Sequence, residues 1–132
     1  DKGIHLKAQL TEPDDVEFYW GYNVTISKIM LGSILKDKPF DLVIATSRLG
    51  EPFINVADNI LRRWDKAEQV LVAFGSPTQG LQEIVNQENL RLIDLADFVV
   101  NMIPNQATET VRTEEALYAT LSALNLLTAK KQ

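Results

Sequence analysis

The sequence contains no cysteine and only one histidine, His5. Without cysteine the chain has no disulfide, no thiolate metal ligand and no cysteine nucleophile. A histidine-based zinc site or a Ser-His-Asp triad would have to use His5. The alternating pattern around His5 is typical of a strand, so we expect no chemical role for it and no metal in the functional site.

Long apolar runs and an excess of positive charge are also missing. No apolar run approaches the roughly 18 residues of a membrane span. The 13 basic and 18 acidic residues give a net charge of −5, whereas proteins held to nucleic acid by phosphate contacts are usually basic. The charge therefore argues mildly against an autonomous nucleic-acid binder. We expect a cytoplasmic protein without membrane association, which the lack of cysteine also fits.

Hydrophobic residues make up 45% of the 132 residues, enough for the core of one domain. From residue 40 onward, apolar runs typical of buried parallel strands alternate with amphipathic helical stripes. This order predicts an α/β fold with a parallel sheet flanked by helices. The predicted strands cover residues 40–46, 69–74 and 98–103, and the predicted helices cover 53–66, 81–85 and the segment that a capping Thr113 begins.

Three further segments have weaker or unusual patterns. Residues 1–26 are expected to be extended, Ser27 is expected to cap a helix over 29–34, and residues 90–97 are expected to be irregular or partly strand. The last helix is apolar on more than one face, and we therefore expect a homodimer built partly on it. Its apolar residues are Leu117, Leu121 and Leu124 on the face that includes Thr128, and Ala119, Ala123 and Leu127 elsewhere.

Loops rich in small and polar residues follow the three predicted strands, at residues 46–52 (loop 1), 75–80 (loop 2) and 102–111 (loop 3). In open parallel sheets, ligands bind beyond the carboxyl ends of the strands. Such loops suit a cofactor held by main-chain hydrogen bonds, although ordinary turns use the same residue types. The length of loop 3 favours a functional role.

One nucleotide-binding pattern is incomplete. Gly75 and Gly80 match the beginning of a phosphate loop, G-x-x-x-x-G. Leu81 and Gln82 stand where that loop needs a lysine and a hydroxyl residue, so a Walker-type NTPase is disfavoured. A generic nucleotide-binding domain is weakened for the same reason.

Motifs in loops 2 and 3 resemble the SPOUT class of knotted RNA methyltransferases. They are Gly75-Ser76-Pro77-x-x-Gly80-Leu81 and Asn101-x-Ile103-Pro104-x-Gln106-x-Thr108-x-Thr110-Val111-Arg112-Thr113-Glu114-Glu115-Ala116. Two further segments resemble the archaeal and eukaryotic RNA methyltransferase branch of that class, in which an OB-like module is inserted into the knotted domain. They are Tyr19-Trp20-Gly21-Tyr22 and Asp41-Leu42-Val43-Ile44-Ala45-Thr46-Ser47-Arg48.

The resemblance implies a deep trefoil knot near the C-terminus and a site for S-adenosylmethionine formed by the three loops. It also implies a homodimer with the active site near the interface. Residues 1–16 would be the end of the inserted OB-like β module or an N-terminal extension, and residues 17–132 the knotted α/β methyltransferase domain. We accordingly expect the chain to be the C-terminal part of a longer protein.

The resemblance further implies a set of site residues. The candidate cofactor contacts are Thr46, Arg48, Gly75, Ser76, Gly80, Asn101, Met102, Ile103, Pro104, Gln106, Thr108 and Thr110. The candidate catalytic residues are Arg112, which would orient an RNA phosphate or the methyl acceptor, and Glu109, which would accept a proton. The open alternatives are an ion pair of Arg112 with Glu109 or Glu115, a solvated carboxylate at Glu109, and an exposed loop charge at Arg48.

The predicted function is that of an S-adenosylmethionine-dependent methyltransferase acting on a base nitrogen or ribose hydroxyl of RNA. Ribosomal and transfer RNA are the candidate substrates, and the residues leave open which atom is methylated. No metal is needed because a sulfonium already activates the methyl group. The alternative is a non-catalytic knotted scaffold or an RNA-associated binding subunit, which the acidic charge favours.

Overall fold

The computed structural model of the chain describes residues 21–37 and 39–129. The predicted opening strand, His5 and the Tyr19-Trp20 pair lie outside these residues. Within the described ranges the elements are α1 (Leu31–Lys36), β1 (Leu42–Pro52), α2 (Phe53–Trp64), β2 (Val70–Ala73), α3 (Leu81–Asn86), α4 (Leu92–Leu95), β3 (Phe98–Asn101) and α5 (Thr113–Thr128).

The strands form a parallel sheet in the order β2-β1-β3, which confirms the predicted α/β class. Leu42 is in register with Val70 on one side of β1, and Ile44 is in register with Phe98 on the other. The central position of β1 explains its continuous apolar run. A strand with a neighbour on each side and helices on both faces has its side chains buried in both directions.

Helices cover both faces of the sheet, and the buried residues of the described chain form two clusters. Leu42 and Ile44 of β1 pack with residues of α2 and α5. Ala45, which points to the opposite face because side chains alternate along a strand, packs with residues of α3 and α4. The first cluster is Leu42, Ile44, Ile60, Val100, Leu124 and Leu127, and the second is Ala45, Ala73, Leu81, Val85 and Leu92.

The strand β1 is longer than predicted because it includes all of loop 1, residues 46–52. Thr46 and Glu51 both pair with Val100 of β3, so the four residues between them form a bulge and the chain then rejoins the ladder. Gly50 makes this return possible. A Cβ at Gly50 would lie 2.7 Å from backbone atoms of Val100, and only glycine permits so close an approach.

Two local predictions were wrong. The segment 90–97, expected to be irregular or partly strand, contains the helix α4. Ser27 does not cap a helix, because its Oγ bonds within a short turn to the backbone of Ile29 and α1 begins only after Met30. The first turn of α1 is instead capped by Glu88, a residue far along the chain. Its two carboxylate oxygens accept hydrogen bonds from the N–H groups of Gly32, at 2.6 Å, and Ser33, at 2.8 Å.

Side-chain bonds tie together the amino edge of the sheet, where the strands begin. Asp97 accepts a hydrogen bond from the N–H of Val43 at 2.8 Å and forms an ion pair with Arg63 at 2.8 Å. Asp41 accepts hydrogen bonds from the N–H groups of Glu68 and Gln69. Hydrogen bonds and an ion pair of its own side chains therefore stabilise this edge, whereas the opposite, carboxyl edge contains a pocket.

Candidate functional site

A pocket of about 400 Å³ lies at the carboxyl edge of the sheet. All three predicted loops contribute to it, together with the beginning of α5. The predicted cofactor residues that line it are Thr46, Arg48, Gly75, Ser76, Gly80, Asn101, Met102, Ile103, Gln106 and Thr110. The fold therefore brings together residues that are up to 64 positions apart in the chain (46 to 110), as expected for a site at strand ends.

Hydrogen bonds hold loop 1 against loop 3. Arg48 Nη1 donates to the backbone carbonyl oxygen of Glu109 at 2.9 Å, and Asn101 Nδ2 donates to the carbonyl oxygen of Arg48 at 2.9 Å. Within loop 3, Gln106 Nε2 donates to the carbonyl oxygens of Thr108, at 2.9 Å, and Glu109, at 3.2 Å. Arg48 is thus more than an exposed loop charge, because its guanidinium positions the backbone of loop 3.

Loop 2 is closed by its own backbone and by α5. Ser76 N–H donates to the carbonyl oxygen of Gln79 at 2.9 Å, and Ser76 Oγ accepts from the N–H of Gln79 at 3.0 Å. Thr113 Oγ1, at the beginning of α5, donates to the carbonyl oxygen of Gly75 at 3.4 Å. A Cβ at Gly75 would lie 2.7 Å from Gln79 O, whereas a Cβ at Gly80 would meet nothing within 4 Å. Gly75 is therefore needed for the turn itself, while Gly80 leaves open space beside the pocket.

Of the four remaining predicted site residues, one lines the pocket and three lie outside its lining. Glu109 lines the pocket with an exposed side chain, whereas Pro104, Thr108 and Arg112 are not part of its lining. Arg112 precedes the first turn of α5, so Thr113 is the first helical residue rather than the cap. Thr108 Oγ1 donates to the carbonyl oxygen of Thr110 at 2.8 Å, which stabilises the loop.

The Arg112 side chain is exposed and makes neither of the ion pairs considered for it. Its backbone N–H donates to Glu115 Oε2 at 3.0 Å, so Glu115 caps the helix through the main chain. Among the described residues, the salt bridges are those of Arg63 with Asp97 and of Arg91 with Asp94. The Arg112 guanidinium is therefore available to a partner next to the pocket.

Several residues that line the pocket were not predicted from the sequence. Phe74 and Leu81 add apolar surface, and Glu83 adds a second carboxylate. Ala116 and Thr120 contribute from α5. Thr113, Ala116 and Thr120 follow the i, i+3, i+7 spacing of one helix face. This spacing does not stand out in the sequence, because apolar residues occur on more than one face of α5.

Two kinds of structure are absent from the part of the chain that is described. In residues 21–37 and 39–129, no group of three or more His, Cys, Asp or Glu side chains could hold a metal ion. No helix in the same residues is both long and apolar enough to cross a bilayer.

Comparisons with known proteins identify the family. The sequence is 37% identical to "Uncharacterized protein rrnAC1612" of Haloarcula marismortui, in an alignment of 155 positions that covers 94% of this chain and 55% of that protein. It is 35% identical to a 28S rRNA (uridine-N(3))-methyltransferase of Drosophila melanogaster, covering 89% of this chain and 26% of that protein. It is 39% identical to the protein of the same name from Mus musculus, covering 80% of this chain and 28% of that protein.

The chain thus spans between about a quarter and about half of the length of these relatives. Residues 5–124, which include all three pocket loops, match the family described as "Putative RNA methyltransferase". This match confirms the resemblance to RNA methyltransferases that the motifs in loops 2 and 3 indicate. The chain belongs to that family of RNA methyltransferases.

Proposed function

We propose that this chain is the S-adenosylmethionine-binding, catalytic domain of an RNA methyltransferase. The observation that carries the proposal is the pocket at the carboxyl edge of a parallel sheet, built from three loops that lie within residues 5–124, the part of the chain that matches the family. Its volume of about 400 Å³ lies in the range usual for cofactor sites, roughly 300 to 1,000 Å³.

The residues present fit such a cofactor. Glycine and small polar residues of loop 2 bring backbone groups to the pocket without bulk, and Gly80 leaves space that a side chain would occupy. Phe74, Met102 and Ile103 supply apolar surface for a heteroaromatic ring. Glu83 and Glu109 offer negative charge at the rim, which complements the positive sulfonium and ammonium groups of S-adenosylmethionine.

The acceptor that we propose is N3 of a uridine in ribosomal RNA, following the names of the Drosophila and mouse relatives. S-Adenosylmethionine, when bound, supplies a methyl group activated by its sulfonium. The uracil N3–H must lose its proton as the N3–methyl bond forms and the methyl–sulfur bond breaks, with the bonding electron pair remaining on sulfur. The protein contributes most by holding the nitrogen, methyl carbon and sulfur in line.

Glu109 is the residue that we propose receives the N3 proton. Its carboxylate is exposed at the pocket rim, while its backbone carbonyl is held by Arg48 and Gln106. Loop 3 is therefore held by its backbone, and the Glu109 carboxylate remains available to accept a proton. Glu109→Gln preserves the backbone contacts and should lower methyl transfer by about 10²-fold. Cofactor affinity should fall much less, because Glu83 keeps its charge at the rim.

The proposal has three finer features, of which the knot and the dimer follow from the resemblance and the cytoplasmic location from the composition. We propose a trefoil knot near the C-terminus, a cytoplasmic location and a homodimer that uses α5. The structure supports the dimer because Leu117, Tyr118 and Leu121 are exposed on α5. Leu124 and Leu127, by contrast, are buried in the core of the monomer and cannot form the dimer surface.

The test combines calorimetry with a methyl-transfer assay on the full chain. S-Adenosylmethionine should bind to the wild-type chain and to Glu68→Gln, at the amino edge of the sheet, but bind much more weakly to Gly80→Val. Incubation with ribosomal RNA should yield 3-methyluridine in a nucleoside digest. Binding without transfer would favour the non-catalytic scaffold, and an absence of binding would overturn the proposal.

A further inference from the structure

Thr120 has a buried hydroxyl group that finds no hydrogen-bond partner among the described residues. The residue is 0% exposed, lies in the middle of α5 and contributes to the lining of the pocket. Its Oγ1 atom makes no hydrogen bond to any described residue. It is the one side-chain polar atom in the described part of the chain with this combination of burial and missing partner.

The missing bond is unexpected for a threonine in a helix. Such a hydroxyl ordinarily bonds to the carbonyl oxygen three or four residues earlier. Thr128 does so on the same helix, where its Oγ1 donates to the carbonyl oxygen of Leu124 at 3.0 Å. A hydroxyl that is buried without a partner costs stability, whereas valine would have the same shape without that cost.

The position of Thr120 on α5 suggests where its partner comes from. Thr113, Ala116 and Thr120 lie on the part of the helix face that borders the pocket. The same face continues into Leu124 and Leu127, which pack in the core of the domain. Thr120 thus lies at the boundary between the pocket and the core. An apolar residue would be expected at this position unless a ligand in the pocket supplied a hydrogen-bond partner for the hydroxyl.

We propose that the Thr120 hydroxyl hydrogen-bonds to the adenosine part of the methyl donor and contributes to selecting it. This inference rests on the proposed function, because it assumes that the donor occupies the pocket. The charged amino-acid part of the donor belongs at the exposed rim near Glu83 and Glu109, since burying charge is costly. The uncharged adenosine part then occupies the buried, mainly apolar side of the pocket. The Thr120 hydroxyl on that side can donate or accept a hydrogen bond.

The experiment compares Thr120→Val with Thr120→Ser and the matched control Thr128→Val. Affinities of the full chain for S-adenosylhomocysteine and 5′-methylthioadenosine, which lacks the amino-acid part, are measured by calorimetry. The melting temperature is measured without ligand. Thr120→Val should weaken both ligands by about tenfold, or 1.4 kcal/mol, and raise the melting temperature by about 4 °C. Thr120→Ser should bind both ligands nearly as well as the wild type, and Thr128→Val should leave affinity unchanged and lower the melting temperature.

The opposite signs for affinity and stability distinguish a ligand-binding hydroxyl from a structural one. If Thr120→Val binds both ligands as tightly as the wild type, the inference is overturned and the proposed function stands. If only S-adenosylhomocysteine is weakened, the hydroxyl faces the amino-acid part and the assignment to adenosine is wrong. If the wild-type chain binds neither ligand, the proposed function and this inference both fail.

Discussion

Arg48 Nη1 donates a hydrogen bond to the backbone carbonyl oxygen of Glu109 at 2.9 Å, across 61 positions of the sequence. The bond joins loop 1 to loop 3, and Asn101 strengthens the junction by donating to the carbonyl oxygen of Arg48. A cation at the pocket rim therefore fixes the backbone beside the carboxylate that we propose as the base. The position of Glu109 depends on a residue that its own loop does not contain.

Replacing Arg48 with alanine should loosen loop 3 without unfolding the domain. The lost bond is exposed, so the free energy of unfolding should fall by less than about 1 kcal/mol. Affinity for S-adenosylmethionine should fall about fivefold, roughly 1 kcal/mol, because binding must then order the loop. Arg62→Ala is the control, since Arg62 bonds only to Asn59 on the surface of α2 among the described contacts. Equal affinities for the two variants would contradict the role of Arg48.

Gly50→Ala should destabilise the fold. Its Cβ would lie 2.7 Å from backbone atoms of Val99 and Val100, so the bulge of β1 could not dock on β3 without a backbone shift. Overpacking of this kind costs about 1 to 3 kcal/mol, measurable by urea unfolding. Gly80→Ala, whose Cβ would enter open space, should change stability by less than about 0.5 kcal/mol.

Glu88→Ala should selectively destabilise α1. The Glu88 carboxylate accepts hydrogen bonds from the N–H groups of Gly32 and Ser33 and from Ser33 Oγ at 2.8 Å. Loss of a helix cap costs about 0.5 to 2 kcal/mol. Hydrogen exchange should accelerate at the first amides of α1 and remain slow in β1. Glu68→Ala, which removes an exposed side chain, should leave both rates unchanged.

Arg112→Ala should affect turnover more than cofactor binding. The guanidinium is exposed next to the pocket but is not part of its lining, which suits a contact with an RNA phosphate or with the acceptor base. Methyl transfer should fall by about 10²-fold. Affinity for S-adenosylmethionine should change by less than about tenfold, or 1.4 kcal/mol. A variant that folds but no longer binds the cofactor would show that Arg112 belongs to the cofactor site instead.

Leu121→Asp should weaken the proposed homodimer. Leu121 is 49% exposed on α5, next to the exposed Leu117 and Tyr118. A charge placed in an apolar interface lacks a partner and opposes association. Light scattering at micromolar concentration should show a dimer for the wild type and a shift toward monomer for the variant. Ile93→Asp, at an exposed site on α4, is the control. A wild-type monomer would argue against the dimer.

Local patterns predicted the helices and strands well where a short segment has one clear periodicity. The amphipathic helix predicted over residues 53–66 is confirmed as α2, in which Phe53, Ile60 and Trp64 face the core while Arg62 and Asp58 are exposed. The apolar run in β1 is buried as predicted. In both cases the side-chain pattern repeats within a few residues, so neighbours in the sequence are sufficient to reveal it.

The last helix shows where local patterns are insufficient. We grouped Leu117, Leu121 and Leu124 on one face, but the buried stripe is Thr120, Leu124 and Leu127. Because apolar residues occur around most of α5, its sequence does not select the face that packs on the sheet. The packing of α5 against α2 and the sheet selects it instead.

The sequence by itself determined the α/β class, the order of the three strands and of the helices α2, α3 and α5, and the three strand-end loops, because these follow from periodicities and motifs a few residues long. Tertiary structure decided which of those residues meet. Glu88 caps a helix more than fifty positions earlier, Arg48 holds loop 3, and Gly50 lies against the backbone of β3. Among the described residues it also left the hydroxyl of Thr120, a residue that lines the pocket, without a hydrogen-bond partner. A contact between distant segments depends on how the chain packs in three dimensions, and no short stretch of sequence contains that information.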